Sequence, residues 1–340
     1  MSQVNVGLVG AGWMGSLHAK VLARLPEAKL VAVADPDRAR ATAAAREAEG
    51  CAVYGTYEEL LEDDRVEVVS ICTRDTLHMA PVIAAAAAGK HVFLEKPIAS
   101  NVEDAEAIIN ACQTAGVKLT IGFLLRFDPR FRRIKDLLDK GVLGEPIHVF
   151  ARRNSPRNVG PARYGNSVPL ALHVTSHDVD AVLWYLAPRR PVSVYAQSVS
   201  KLLGSVGTED SILAIVRFDD GTLAEFESSW ALPETSRTQI DARMEVVGTK
   251  GVIEVEGAES GVYVADGDGV DYPDTFYWPD LGGAIAGDLR EELAAFVDAV
   301  AHDRPVAVSG EEGIAALRVV TMIIESARSG RVETFEWATR

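Results

Sequence analysis

The run Val6-Gly7-Leu8-Val9-Gly10-Ala11-Gly12-Trp13-Met14-Gly15 constrains the fold of this chain more than any other stretch. The apolar segment Val4 to Val9 reads as a buried parallel strand, and a helical pattern begins just after Gly10 and runs to about Leu25. Gly10, Gly12 and Gly15 have the G-x-G-x-x-G spacing. One glycine suits a tight turn, one lets backbone approach a pyrophosphate, and the third lets helix and strand pack closely. The helix N-terminus adds N–H groups and the positive end of its dipole, both of which favour phosphate. A second apolar strand, Lys29 to Ala34, ends in Asp35, about 20 residues past Gly15, where a carboxylate accepts hydrogen bonds from ribose hydroxyls. That context separates the motif from a chance cluster of glycines in a turn. A carboxylate there repels a 2′-phosphate, so Asp35 points to NAD, with NADP disfavoured; Arg38 nearby is the residue that softens the preference.

A chain of 340 residues is long enough for two domains and a substantial core. Its formal net charge of −15 argues against nucleic acid or an anionic membrane as partner. No apolar run approaches the ~18 residues that a membrane span needs. The N-terminus leads directly into the first strand, which leaves no room for a signal peptide and predicts a cytoplasmic protein. Cys51, Cys72 and Cys112 lack C-x-x-C spacing and read as reduced thiols.

Strand and helix patterns then alternate. The Ala-rich run Pro36 to Glu49, the stretch Thr76 to Ala88 ending at Gly89, and the Asn101-capped run to Ala115 read as helices. Ala52 to Tyr54, Val66 to Cys72, His91 to Leu94 and Val117 to Gly122 read as strands. This alternation predicts a doubly wound parallel sheet of the Rossmann type over residues 1–122. From Gly144 onward, longer strands follow one another, six of them between Ile147 and Glu256. Asp219-Asp220-Gly221 and Gly248 to Gly251 look like hairpin turns. Residues 123–340 are therefore expected to form an α+β domain with a largely antiparallel open sheet. The helix Leu170–Leu186 would lie across it, and two closing helices would follow, about Asp288–Ala301 and Glu311–Ser329. The helices suffice to cover one sheet face. The other mixes apolar and charged residues, which suits a subunit interface in a homodimer or homotetramer.

Two places carry chemistry. Glu95-Lys96-Pro97 falls at the carboxyl end of a parallel strand, where open α/β sheets bind ligands. Lys96 is placed there to exchange a proton with a substrate hydroxyl, although a lysine at a strand end is also an ordinary surface residue. In His173-Val174-Thr175-Ser176-His177-Asp178-Val179-Asp180, the two histidines are four apart and share a helix face, with Asp180 close by. They read as acid–base or substrate-orienting groups, as hydrogen-bonded core histidines, or as metal ligands lacking an evident third partner. The arginines from Arg152 to Arg157 and at Arg163, with Tyr164, lead into this helix. They suit a phosphate or carboxylate on a substrate, or else pair with the protein's own carboxylates.

The combination resembles the glucose–fructose oxidoreductase / inositol dehydrogenase (Gfo/Idh/MocA) family of sugar and cyclitol dehydrogenases. The matching features are Gly10 to Gly15, Asp35, Cys72-Thr73 with His78 beyond, and Glu95-Lys96-Pro97. They continue with Gly122-Phe123, Arg126-Phe127-Asp128-Pro129 and His177-Asp178-Val179-Asp180. The resemblance implies an NAD(P)-dependent oxidation of a secondary alcohol on a sugar, sugar derivative or cyclitol. Lys96 would be the acid–base residue, His177 would orient the hydroxyl or relay its proton, and His173 would be a further contact. Taken with the residue patterns above, the expected cofactor contacts are Gly10, Gly12, Trp13, Met14, Gly15, Asp35, Arg38, Thr73, His78, Glu95 and Lys96. Substrate contacts would come from Lys96, Arg126, Arg157, Tyr164, His173 and His177, with no metal. Within the resemblance, an NAD-dependent glycosidase or a non-catalytic nucleotide sensor are the rival readings. The chain also departs from the pattern. His173 stands where the family usually has aspartate, Arg74 follows the strand-end threonine in place of proline, and Leu124-Leu125 replace a common asparagine. The glycine-rich lead into the histidine helix is replaced by Asn166-Ser167-Val168-Pro169-Leu170. The substrate pocket is therefore altered, and no individual sugar transfers.

Overall fold

A computed structural model describes residues 3–160, 169–257, 261–266 and 269–335. The chain forms two compact units, Met1–Phe127 with Phe276–Ile314, and Asp128–Thr275 with Ala315–Arg340. The residue ranges 1–122 and 123–340 read from sequence differ from this division, because the segment from Phe276 to Ile314 returns to the first unit.

In the first unit β1 (Val4–Val9), β2 (Ala28–Ala34), β3 (Ala52–Tyr54), β4 (Val68–Ile71), β5 (His91–Glu95) and β6 (Leu119–Gly122) form one sheet in the order β3-β2-β1-β4-β5-β6. All five pairings are parallel. Val6, Leu8, Val68, Ile71, Val92 and Leu94 are almost wholly buried, as expected where both faces of a parallel sheet are covered. The cover comes from α1 (Trp13–Leu22), α2 (Arg38–Ala45), α3 (Tyr57–Leu61), α4 (Met79–Ala87) and α5 (Val102–Ala115). Helix α5 begins where Asn101 accepts a hydrogen bond from the Asp104 amide and stops at Gly116, whose φ of 66° is left-handed. The returning segment explains the domain division. Leu289, Leu293, Phe296 and Val297 form one stripe of the helix Asp288–Ala301 and are buried in the same core as β1 and α1. Each such side chain contributes about 1.5–3 kcal/mol when buried. Burial pushes the Cys51 and Cys112 thiols up to about 11, and all three cysteines are unpaired.

The second unit opens with α6 (Pro129–Asp139), capped by the Asp128 carboxylate accepting from the Arg130 amide. Its sheet comprises β7 (Pro146–Pro156), β8 (Pro191–Val199), β9 (Ser211–Phe218), β10 (Leu223–Leu232), β11 (Asp241–Gly248), β12 (Gly251–Glu256) and the short Glu333–Thr334 strand. The order is β12-β11-β7-β10-β9-β8 followed by Glu333–Thr334. Six antiparallel strands were expected, whereas the sheet has seven, and β7 pairs with β10 in parallel. Two antiparallel steps, β8 to β9 and β9 to β10, give β10 the direction of β8, and in that direction it pairs with β7. Both anticipated turns are present as hairpins, with Gly221 at φ 93° in the first and Gly248 opposite Gly251 in the second. Alternation is clear in β9, where Ile212, Ala214, Val216 and Phe218 are buried while Leu213 and Ile215 are half exposed. The expected helix Leu170–Leu186 is in fact two segments, a π-helical turn Ala171–Thr175 and then α7 (Ser176–Leu186). The closing helix Gly310–Ser329 follows Asp288–Ala301 in the chain. Among the described residues, no helix is long and apolar enough to cross a membrane.

Candidate cofactor and catalytic residues

Strand order reverses between β1 and β4, and ligands of doubly wound sheets lie beyond the carboxyl ends of the strands at such a point. Gly10, with φ 89°, makes the turn out of β1, and a Cβ there would lie 2.9 Å from the Cys72 carbonyl. A Cβ on Gly15 would lie 1.9 Å from the Gly10 oxygen, so this glycine permits the close helix–strand approach. Gly12 is different. A Cβ built there meets nothing within 4 Å, and no side chain caps α1 at this residue. The space in front of Gly12 and the uncapped helix end suit a pyrophosphate. Thr73 at the end of β4 adds a buried hydroxyl with no hydrogen-bond partner among the described residues. These features fit a dinucleotide.

Asp35 follows β2, half-buried. Its Oδ2 accepts from the Ala11 amide at 2.7 Å and its Oδ1 from the Asp37 amide at 2.8 Å. It is thus fastened to the glycine loop while retaining lone pairs for a ribose. Arg38 is exposed at the first position of α2. Trp13 is 42% exposed and meets Trp278 edge-on, ring centroids 5.1 Å apart. Met14 packs on the core.

Lys96 follows β5 and is half-buried, ahead of a cis peptide bond to Pro97. Two residues expected to touch cofactor turn out to be engaged inside the unit. The Glu95 carboxylate is buried, with Oε1 3.1 Å from His18 Nε2 and Oε2 accepting from the Lys96 amide at 3.1 Å. His78 is buried with Nδ1 3.0 Å from the Pro97 oxygen and Nε2 3.1 Å from the Thr73 oxygen. Its ring nitrogens face backbone, and it ties the end of β4 to the segment after Lys96. Burial holds the His78 pKa below the usual imidazole value, with the neighbouring carbonyls opposing the effect. Arg126 is also buried and pairs with Glu312 at 2.5 Å.

In the second unit, His173 lies within the π turn, buried, and His177 opens α7 half-buried. The α-helical argument for a shared face does not carry through this turn, because π-helical hydrogen bonds span one residue more. Arg153 and Asp178 form a buried bidentate pair, both contacts 2.9 Å, that joins β7 to α7 beside His177. Arg152 pairs with Asp241 at 3.0 Å. These two arginines lie within β7 and serve the protein's own carboxylates, one of the two readings their sequence allows. Arg157 is exposed just beyond the strand; Arg163 and Tyr164 lie outside the described residues. Sequence reasoning missed His18 and Ser70 as members of a buried network. A histidine on the apolar side of α1 was the one visible signal. Among the described residues, no group of three or more His, Cys, Asp or Glu side chains is arranged to hold a metal.

Comparison with known proteins matches residues 4–123 to the Gfo/Idh/MocA model described as oxidoreductase family, NAD-binding Rossmann fold. Residues 135–334 match the companion C-terminal alpha/beta domain. Inositol 2-dehydrogenase from Rhizobium meliloti (strain 1021) is 32% identical over 335 residues, covering 96% of this chain and 98% of that protein. D-xylose 1-dehydrogenase (NADP(+)) 2 from Haloferax volcanii is 30% identical over 334 residues, covering 95% and 97%. The structure of scyllo-inositol dehydrogenase from Lactobacillus casei with bound NAD(H) and scyllo-inositol has the same fold. Its TM-score is 0.85 at 24% identity, covering 98% of this chain and 99% of that one.

Proposed function

The chain belongs to the Gfo/Idh/MocA oxidoreductase family as an NAD(P)-dependent dehydrogenase of CH–OH groups, and from that premise we propose that it oxidises a secondary hydroxyl of a cyclitol or sugar with Lys96 as the acid–base residue. NAD is its cofactor. The observation that carries the reading is the position of Lys96. It follows β5 in the same sheet whose β1 and β4 ends carry the glycine loop and Thr73. When bound, the nicotinamide supplies the hydride acceptor. The protein supplies binding at Gly10, Gly12, Gly15 and Asp35 and a proton acceptor at Lys96 Nζ. His177 is assigned to orient the substrate hydroxyl, the role that the family resemblance implies, and His173, which departs from the family pattern, is assigned as a further substrate contact. The substrate class rests on relatives named for inositol and for D-xylose.

The outer face of the second unit's sheet is assigned to a second copy of the chain. Tyr195, Leu213, Ile215 and Leu223 are 40–51% exposed on it. In the next rows Arg243 pairs with Glu254 at 2.8 Å and Arg152 with Asp241, a mixture of apolar and charged groups that can match itself about a two-fold axis.

The test is a spectrophotometric screen of myo-inositol, scyllo-inositol and D-xylose with NAD and NADP, following the reduced nicotinamide, on the native protein and Lys96→Ala. Native turnover with NAD is expected on at least one cyclitol. The variant is expected to lose about 10²–10⁴-fold in kcat while binding NAD within about threefold of normal. A Lys96→Ala protein with normal turnover would remove Lys96 from the proton-transfer role.

A further inference from the structure

The strongest feature outside the cofactor cradle is a buried polar string behind Lys96. His18, three residues after Gly15 on α1, is fully buried among the apolar side chains of the first unit. Phe93 packs edge-on against its ring at 5.3 Å. Its Nε2 lies 3.1 Å from Glu95 Oε1 and its Nδ1 lies 2.9 Å from Ser70 Oγ. A carboxylate only accepts, so His18 Nε2 donates to Glu95, while Nδ1 and the Ser70 hydroxyl share the second hydrogen bond. The other Glu95 oxygen accepts from the Lys96 backbone N–H at 3.1 Å. Room for this carboxylate depends on Gly122 on the neighbouring strand, where a Cβ would stand 3.2 Å from Glu95 Oε1.

We propose that Glu95, anchored by His18, is the positioning residue that fixes the backbone from which Lys96 works. The inference rests on the acid–base reading of Lys96. A buried carboxylate is costly unless both oxygens are hydrogen-bonded. Here those two bonds connect α1, which also carries the glycine loop, to the residue that follows β5. The glycine loop and the lysine are thereby registered to each other through one side chain, independently of any bound molecule. The catalytic lysine has long, rotatable methylenes, so fixing its backbone removes one source of displacement of the amine, and small displacements of a proton acceptor cost rate steeply.

The experiment compares native protein, Glu95→Leu, Glu95→Gln, His18→Gln, Lys96→Ala and the double variant Glu95→Leu/Lys96→Ala. Hydrogen exchange at the Lys96 amide, read in the cofactor-free protein, needs no substrate. Glu95→Leu is expected to speed it at least about tenfold, and Glu95→Gln, whose amide oxygen can accept the same bond, to leave it nearly native. With myo-inositol as probe, Glu95→Leu should lower kcat at least about tenfold with NAD affinity held within about threefold, Glu95→Gln recovering most of the loss. His18→Gln should fall between them, and carries the test if Glu95→Leu does not fold. In the Lys96→Ala background Glu95→Leu should cost nothing more. Unchanged exchange and kcat in both Glu95→Leu and His18→Gln would overturn the proposal while leaving Lys96→Ala inactive and the acid–base reading intact. A further loss in the double variant would show that Glu95 acts elsewhere. Normal turnover in Lys96→Ala would overturn both.

Discussion

The Asp35 carboxylate accepts a hydrogen bond from the Ala11 amide at 2.7 Å, so the residue proposed to meet the cofactor's ribose is fastened to the glycine loop. Replacing it changes two things at once. Asp35→Ala is expected to weaken NAD by at least about tenfold and NADP by less, because only NADP gains from removal of the charge. The loss of the Ala11 acceptor should also lower stability by about 1 kcal/mol. Calorimetry of both cofactors with a thermal melt checks this. Native protein that binds NADP more tightly than NAD would refute it.

The glycines of the motif should fail in different ways. Gly12→Ala adds a methyl where nothing stands within 4 Å, so folding should be preserved while the space proposed for the pyrophosphate is filled. Gly15→Ala drives a methyl to 1.9 Å from the Gly10 oxygen, so the protein itself must give. Gly12→Ala is expected to keep a native melting temperature and lose NAD, and Gly15→Ala to lose both. Equal melting temperatures in the two variants would contradict the argument.

His78 should make the fold acid-sensitive. Burial holds its folded pKa below the unfolded value, so the unfolded chain takes up a proton at a higher pH than the folded one. Stability from this residue is complete above about pH 6.5. It declines as pH falls from there towards the folded pKa, by at most about 1.4 kcal/mol per pH unit. His78→Asn should lack this limb. Denaturant titrations of both proteins between about pH 7.5 and 4.5 decide it; parallel curves would exclude His78 as the source.

The outer sheet face yields a prediction of assembly. Ile215 is 49% exposed, with Tyr195 and Glu225 as its cross-strand neighbours. Ile215→Lys gains Glu225 as an ion-pair partner, so the monomer should remain folded, but a charge enters the middle of the proposed interface. Light scattering should report a dimer or larger for the native protein and a shift toward monomer for the variant. A native monomer at micromolar concentration would end the proposal.

The sequence by itself determined whatever depends on near neighbours. The strand–glycine–helix unit, the Asn101 cap and the hairpin turns at Asp219-Asp220-Gly221 and Gly248 to Gly251 all follow from local periodicity and backbone preference, and each is present. The helix Asp288–Ala301 was legible for the same reason, down to its ends. Which core its apolar stripe enters was not, because a stripe of Leu289, Leu293, Phe296 and Val297 suits either unit equally. Tertiary structure decided that it packs with β1 and α1. It also decided the parallel pairing of β7 with β10, since an alternating strand carries no mark of its neighbour's direction. In the candidate site Gly10, Gly12, Gly15 and Asp35 were readable from spacing along the chain, and Lys96 from its place at a strand end taken with the family resemblance. The turn at Ala171–Thr175, the Arg153–Asp178 pair and the bond between His18 and Glu95, 77 residues apart, were not. Buried polar groups take whichever partner folding brings within about 3 Å, and that choice is made in space, not along the sequence.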